Sequence, residues 1–159
     1  MNIEELRTYC LKMKGVTESF PFGENTLVFK VMGKMYALSN LDGDLSINLK
    51  CEPEKAIELR EHYPAVQPGY HMNKKHWNTI YIDGSVDDNL IRKWIENSYK
   101  LVVESLTGKL KNELKNLWDK LNKLPESFID GLYIVSIACL FSRYSCSFNH
   151  HPFNSISSQ

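Results

Sequence analysis

Three short runs of strand-forming residues follow one another between residues 26 and 49, and they constrain the fold more than any other feature. The runs are Thr26–Val31, Met35–Ser39 and Leu45–Leu49. A tight turn around Gly33 separates the first two, and a turn around Gly43 separates the last two. Connections this short join antiparallel neighbours, because a parallel pair needs a crossover of a dozen or more residues. The sequence therefore predicts an antiparallel meander.

Three stretches have helical patterns. Residues 3–14 and residues 90–106 repeat apolar side chains at helical spacing. Ser85 is suited to cap the N-terminus of the second of these helices. Pro53 is suited to the first turn of a further helix that runs to about His62.

One more strand is expected after these turns and helices. The side chains of Thr79–Asp83 are expected to alternate between the two faces of a strand, with Ile80 and Ile82 on one face. Residues 18–23 and the segment that opens at Pro64 are predicted to be loops. The combined pattern predicts an α+β fold in which an antiparallel sheet packs against helices.

The charge balance limits the classes of function. The chain has 159 residues, with 19 basic and 19 acidic side chains, so its formal net charge is zero. Dedicated DNA-binding domains usually have a basic excess, because neutralising phosphates supplies most of their affinity. Any nucleic-acid contact is therefore expected to come from a local basic patch.

Cysteine usage and the N-terminus indicate a cytoplasmic protein. The four cysteines have irregular spacing without a CxxC motif, and the acidic N-terminus lacks the pattern of a signal peptide. The longest apolar-rich run, residues 132–141, is shorter than the roughly 20 residues that cross a bilayer. We expect reduced thiols and no membrane insertion.

Residues 68–77 concentrate the polar chemistry of the chain. They contain two histidines, two lysines and two large aromatic residues. Cations beside aromatic faces can hold phosphates and stack bases. The predicted nucleic-acid-binding or anion-binding residues are Lys30, Lys34, Lys50, His71, Lys74 and Lys75. The predicted supporting residues are Tyr70, His76, Trp77, Ser98 and Tyr99.

The aromatic residues of this segment have a second interpretation as packing residues. Trp77 and Tyr70 precede a strand and could be buried instead of contacting a ligand. We predict burial for Trp77, and exposure for Lys74 and Lys75, because an unpaired ammonium is costly to desolvate. Ser98 shares the apolar stripe of its helix and is expected to hydrogen-bond this segment.

Catalytic and metal-binding patterns are weak. His71 and His76 have no nearby carboxylate or cysteine that would complete a metal shell. No motif marks a nucleophile beside either histidine, and no Gly-rich phosphate loop is present in the sequence. We therefore predict that the protein is not an enzyme and that it uses no cofactor or metal.

The same segment carries a family resemblance. Pro68-Gly69-Tyr70-His71-Met72-x-Lys74-x-His76-Trp77 is followed by Asp83-Gly84-Ser85 and by Ser98-Tyr99-x-Leu101-Val102. This order resembles the MmcQ/YjbR family of bacterial proteins, from about residue 1 to Leu114. The resemblance implies a CyaY-like α+β sandwich with a double-wing arrangement of its sheet loops. It also implies DNA binding.

The chain divides into three predicted parts. Residues 1–108 form the domain, residues 109–126 an amphipathic helical extension, and residues 127–159 an atypical tail with few charges and many serines. Leucines recur in the extension at heptad-like spacing, which indicates packing on the domain or contact with a partner helix. The tail is interpreted either as a frameshift-derived end or as a weakly ordered addition.

Three functional hypotheses remain open at this point. The first is weak, phosphate-mediated contact with DNA. The second is a pocket for a small anionic ligand or a protein segment, built by Tyr70, His71, Lys74, Trp77 and Ser98. The third is a protein-interaction module that uses the leucine-striped helix. One contiguous basic face would favour DNA, whereas a small basic cleft would favour a small ligand.

Overall fold

The computed structural model describes residues 1–121, which form an antiparallel sheet and four helices. The helices are α1 (Ile3–Leu11), α2 (Pro53–His62), α3 (Asp88–Glu104) and α4 (Gly108–Leu121). The strands are β1 (Val16–Ser19), β2 (Thr26–Val31), β3 (Lys34–Asn40), β4 (Ser46–Lys50), β5 (Val66–Pro68) and β6 (Trp77–Tyr81). The predicted tail and the end of the predicted helical extension lie outside these residues.

The sheet has the strand order β1-β2-β3-β4-β6-β5, with every pair antiparallel. The predicted α+β fold and the central β2–β3–β4 meander are confirmed. Met32 and Gly33 both have positive φ, at 48° and 80°. Two such residues between paired strands match the twist of a tight hairpin.

Both edge strands include residues that were predicted to lie in loops. β1 includes Glu18 and Ser19, and it pairs along β2 with Val16 opposite Val31. β5 contains Pro68, which has no N–H to donate and is tolerated because it lies on the outermost strand. Strands of three or four residues have too few positions for alternation to identify them.

The hydrophobic core lies on one face of the sheet. Cross-strand pairing places Phe29, Ala37 and Leu49 side by side, and it likewise places Ile47 beside Ile80. These side chains pack with buried residues of the first three helices, listed by helix as Leu6 and Cys10, Leu59, and Ile91, Trp94 and Ile95. The helices therefore cover this face.

The start of α3 differs from the prediction. Asp87, not Ser85, is the N-cap, and its side chain accepts a hydrogen bond from the Asn89 amide at 2.9 Å. Ser85 instead donates its amide to Asp83 Oδ1 at 2.9 Å, in the turn that precedes the helix. The helix begins two residues later than a Ser85 cap would require.

The last described helix, α4, packs on the domain. Leu114 is buried and belongs to the core cluster. A methyl group placed on Gly15 would lie 2.5 Å from Leu114 Cδ1. This contact supports the interpretation of the leucine stripe as a packing surface. Within residues 1–121, no helix combines the length and the apolar character needed to cross a membrane.

Stability should fall at alkaline pH because burial holds Cys10 in its neutral form. Burial raises the pKa of the Cys10 thiol to about 12 from an ordinary value of 9.0, and it also raises the pKa of Tyr36. The unfolded thiol loses its proton above pH 9, whereas the folded one keeps it. Cys10 alone should lower the free energy of unfolding by up to ~1.4 kcal/mol per pH unit between about pH 9 and 12.

Urea unfolding of Cys10→Ala and of the unmodified protein at pH 7, 9 and 10.5 measures this effect. The unmodified protein should lose stability more steeply with pH than the variant does. Equal slopes for the two proteins would contradict the assignment to Cys10.

Candidate binding site at the β5–β6 loop

The β5–β6 loop, residues 69–76, is a short connection held closed at its base. The Gly69 amide donates to the Trp77 carbonyl oxygen at 2.8 Å, and the Tyr70 amide donates to Thr79 Oγ1 at 3.0 Å. Further along, the His76 amide donates to the Asn73 carbonyl oxygen at 3.0 Å. These bonds fix the loop backbone at both ends.

Gly69 occurs where the two sides of the loop approach most closely. A methyl group at this position would lie 2.8 Å from Trp77 Cβ and 2.9 Å from the Trp77 carbonyl oxygen. Neither atom is the flexible end of a side chain, so a larger residue would push the loop away from β6. Only glycine fits here without such a shift.

A cleft of about 550 Å³ lies between the loop and the last two strands. Its polar and aromatic lining consists of Gln67, Tyr70, His71, Lys74, Thr79 and Tyr81. Tyr70 is 72% exposed and Tyr81 is 38% exposed, so their aromatic faces are accessible from solvent. The cleft lining contains a lysine and a histidine but no acidic residue.

His71 has an unusual backbone conformation. Its φ is 55°, in the left-handed region that residues other than glycine rarely adopt. Its ring lies against Tyr70, with the two ring centroids 4.0 Å apart and tilted by 56°. Strained residues are found more often at functional sites, because the surrounding structure must hold them in place.

Arg60 of α2 contacts the C-terminal half of the loop. Its Nε donates to Asn78 Oδ1 at 2.7 Å. Its guanidinium also donates to the carbonyl oxygens of Lys74 and of Trp77, the latter at 3.3 Å. Nothing in the sequence marks Arg60 as a loop contact, because no motif links a helix residue to carbonyls 14 and 17 positions later.

The loop residues divide between surface and interior. Lys74 and Lys75 are exposed, as predicted, and His76 is half-buried. Trp77 is 9% exposed, which agrees with its interpretation as a packing residue. Tyr70 is at the surface, so the packing interpretation was wrong for this residue.

The predicted basic residues do not gather in one place. Lys30 lies on β2, and Lys34 donates to the Ser105 carbonyl oxygen at 3.1 Å, beyond the last turn of α3. Two strands separate β2 from β6, which corresponds to about 14 Å across the sheet. Lys50 is nearer to the loop, because it pairs with Trp77 at the end of β4. Lys74 is the only lysine of the predicted set that lines the cleft.

Ser98 and Tyr99 support other parts of the fold. The buried Ser98 hydroxyl accepts from the Lys50 amide at 2.8 Å and donates to the Tyr36 carbonyl oxygen. It therefore joins α3 to β3 and β4, in place of the predicted bond to the loop. Tyr99 donates to the Lys14 carbonyl oxygen at 2.8 Å and packs edge-on against Tyr36.

The described residues do not form a recognisable metal-binding cluster. Among residues 1–121, no three His, Cys, Asp or Glu side chains are grouped as metal ligands would be. The chemistry that the cleft offers is an ammonium, an imidazole, a hydroxyl, an amide and two phenol rings. These groups can hold an anion and a flat ring.

The sheet, its single helical layer and this open cleft define a small two-layer α+β domain. The model of the YjbR family matches residues 11–101, and the chain belongs to this family. The predicted resemblance is thereby confirmed.

Similar proteins share most of the domain. The chain is 40% identical over 104 residues to YbdF of Escherichia coli O157:H7, covering 65% of this chain and 85% of that protein. It is 34% identical over 107 residues to YjbR of Escherichia coli K12, covering 67% and 91% respectively. Both relatives are described as uncharacterised proteins.

A solved structure has the same fold. The crystal structure of the Deinococcus radiodurans protein DR2400, described as a DUF419 domain, superposes with a TM-score of 0.67 at 40% identity. The match covers 72% of this chain and 88% of that one. These comparisons establish the family and the fold.

Proposed function

We propose that this domain is a cytoplasmic, non-enzymatic binding module whose cleft at the β5–β6 loop takes a phosphate-bearing ligand with a planar ring. The observation that carries the proposal is the lining of the cleft. Lys74 and His71 supply hydrogen-bond donors, and Lys74 supplies a positive charge. Tyr70 and Tyr81 supply accessible aromatic faces beside them. A nucleotide combines the two chemical features that such a lining recognises.

Two kinds of ligand carry a phosphate beside a planar ring in this way: a free nucleotide, and an unpaired nucleotide within a single strand. The cleft is local, and the charges of the chain sum to zero. Lys34, which could have extended a basic track, is hydrogen-bonded at the end of α3. These observations favour a compact site over a long electrostatic surface.

Contact with duplex DNA is the second candidate, and a feature of the sheet favours it. The register places Lys50 and the start of β6 at the same end of the sheet as the β2–β3 hairpin. Lys30, Lys34, Lys50, Lys74 and Lys75 form separate groups, but all of them belong to segments near this end of the sheet, where a double-wing contact with a duplex would be made. Their contacts would be with phosphates and would be weakly sequence-specific.

Fluorescence anisotropy at low salt distinguishes these sources with three labelled probes: a mononucleotide, an unstructured single strand and a duplex. If the cleft binds a nucleotide unit, Lys74→Ala should weaken mononucleotide binding. Tyr70→Ala should weaken it as well, by about 1–3 kcal/mol for a lost stacking contact. The matched control is Lys111→Ala, which removes the same charge from an exposed position on α4.

The duplex hypothesis predicts a different result. Affinity should then grow with probe length, and each lysine removed at positions 50, 74 or 75 should flatten the log–log salt dependence by about one unit. Failure of all three probes to bind at low salt would contradict the proposed function.

A further inference from the structure

Arg60 has all its described hydrogen bonds within one short segment. Its acceptors are the carbonyl oxygens of Lys74 and Trp77 and the side-chain oxygen of Asn78. A guanidinium has five N–H groups in a rigid planar arrangement, so it can hold several acceptors in a fixed geometry. Lysine has the same charge but cannot reproduce this arrangement.

Asn78 connects the Arg60 side chain to α2 by a second route. Asn78 is 1% exposed, and its amide nitrogen donates to the Ala56 carbonyl oxygen at 3.1 Å. This bond orients the amide so that Oδ1 faces Arg60. The start of β6 is consequently joined to α2 through a buried amide and a half-buried guanidinium.

The contact with Lys74 differs from the others because it reaches into the loop itself. The Lys74 side chain lines the cleft, whereas Arg60 does not. Within residues 1–121, the Lys74 ammonium takes part in none of the ion pairs. It is therefore available to a ligand while its backbone is held by Arg60.

We infer that Arg60 is a positioning residue, which fixes the Lys74 carbonyl and so keeps the Lys74 side chain at the cleft. The consequence for binding rests on the proposed function. The effect of Arg60 on the stability of the loop does not depend on the proposed function, because it concerns only the hydrogen bonds of the loop backbone. Loop stability and ligand affinity can therefore be measured separately.

Trypsin cleavage at the Lys74–Lys75 and Lys75–His76 bonds reports on the loop directly. Proteolysis requires local opening of the chain, so cleavage reflects the stability of the cut segment. In the full chain, Arg60→Ala should speed cleavage at these bonds by about tenfold or more, since it removes hydrogen bonds from a charged donor. Cleavage at Lys111 should keep its rate. Arg60→Lys should resemble Arg60→Ala.

Arg92→Ala is the matched control, because Arg92 is a helical arginine that lies over the Tyr9 ring and not at the loop. It should leave cleavage after Lys74 and Lys75 unchanged. If Arg60→Ala speeds cleavage equally at Lys111 and in the loop, the residue stabilises only the whole fold. That result, or an unchanged rate at every site, would overturn the inference.

A double-mutant cycle with the labelled mononucleotide tests the link to the ligand. Arg60→Ala should weaken binding by about tenfold in the unmodified protein, and by less than about twofold when Lys74 is already alanine. Equal losses in both backgrounds would mean that Arg60 acts independently of Lys74, which contradicts the inference. If the unmodified protein binds none of the three probes, the proposed function fails, and the cleavage experiment alone decides the role of Arg60.

Discussion

Trp77→Ala is expected to lower the free energy of unfolding by about 3–5 kcal/mol, the usual cost of truncating a buried aromatic residue. Trp77 is 9% exposed at the first position of β6. It pairs with Lys50 of β4, and its backbone oxygen accepts hydrogen bonds from Gly69 and Arg60. Loss of the indole removes a large apolar surface beside the base of the loop. A domain of ordinary stability would be close to unfolding after such a change.

Tyr81→Ala provides the control on the same strand. Residues 77, 79 and 81 alternate with Asn78 and Ile80, so Trp77 and Tyr81 lie on the same face of β6. Tyr81 is 38% exposed, and its truncation should cost much less stability than that of Trp77. Urea unfolding followed by circular dichroism compares the two variants. A Trp77→Ala protein within about 1 kcal/mol of the original would assign the indole to an exposed stacking role instead.

Gly69→Ala should destabilise the domain by about 1–3 kcal/mol, the range seen when a methyl group is forced into a close-packed position. The cause is steric, since the new methyl group would meet Trp77 Cβ and the Trp77 carbonyl oxygen at less than 3 Å. The Gly69–Trp77 hydrogen bond at 2.8 Å would lengthen or break. Because Gly69 also lines the cleft, mononucleotide affinity should fall together with stability.

Gly108→Ala is the matched control for this substitution. A methyl group at Gly108 meets no atom within 4 Å, and the residue begins α4. Its replacement should change stability by no more than about 0.5 kcal/mol or raise it slightly, because alanine loses less chain entropy in a helix. If both glycine variants behave alike in urea unfolding, the close approach at Gly69 carries no energetic cost.

The central elements could be predicted because their determinants are local. Turn residues around Gly33 and Gly43 define the meander, and Pro53 marks a helix whose observed bounds are Pro53–His62. Pro68 and Gly69 likewise mark the start of the β5–β6 loop. In each case, the residues that specify the element lie within or next to it.

The remaining features depend on contacts between distant parts of the chain. β1 and β5 are strands because β2 and β6 pair with them, and their own residues give little indication. The strand order places β2 far from β6, which divides the predicted lysines into separate groups. Burial of Trp77 was predicted from the apolar strand residues that follow it. The sequence did not predict that the Trp77 side chain would lie on the sheet face opposite Asn78 and Ile80.

The hydrogen bonds at the base of the β5–β6 loop also bear on the entropy of any binding event. Gly69, Tyr70 and His76 already donate their amides to protein acceptors, and Arg60 holds two carbonyl oxygens of the same segment. A ligand that enters the cleft meets a backbone that needs no further ordering. The conformational cost is then limited to the side chains that line the cleft, such as Tyr70, His71 and Lys74, at about 0.5–1.5 kcal/mol for each one immobilised. Such preorganisation leaves more of the contact energy available as affinity.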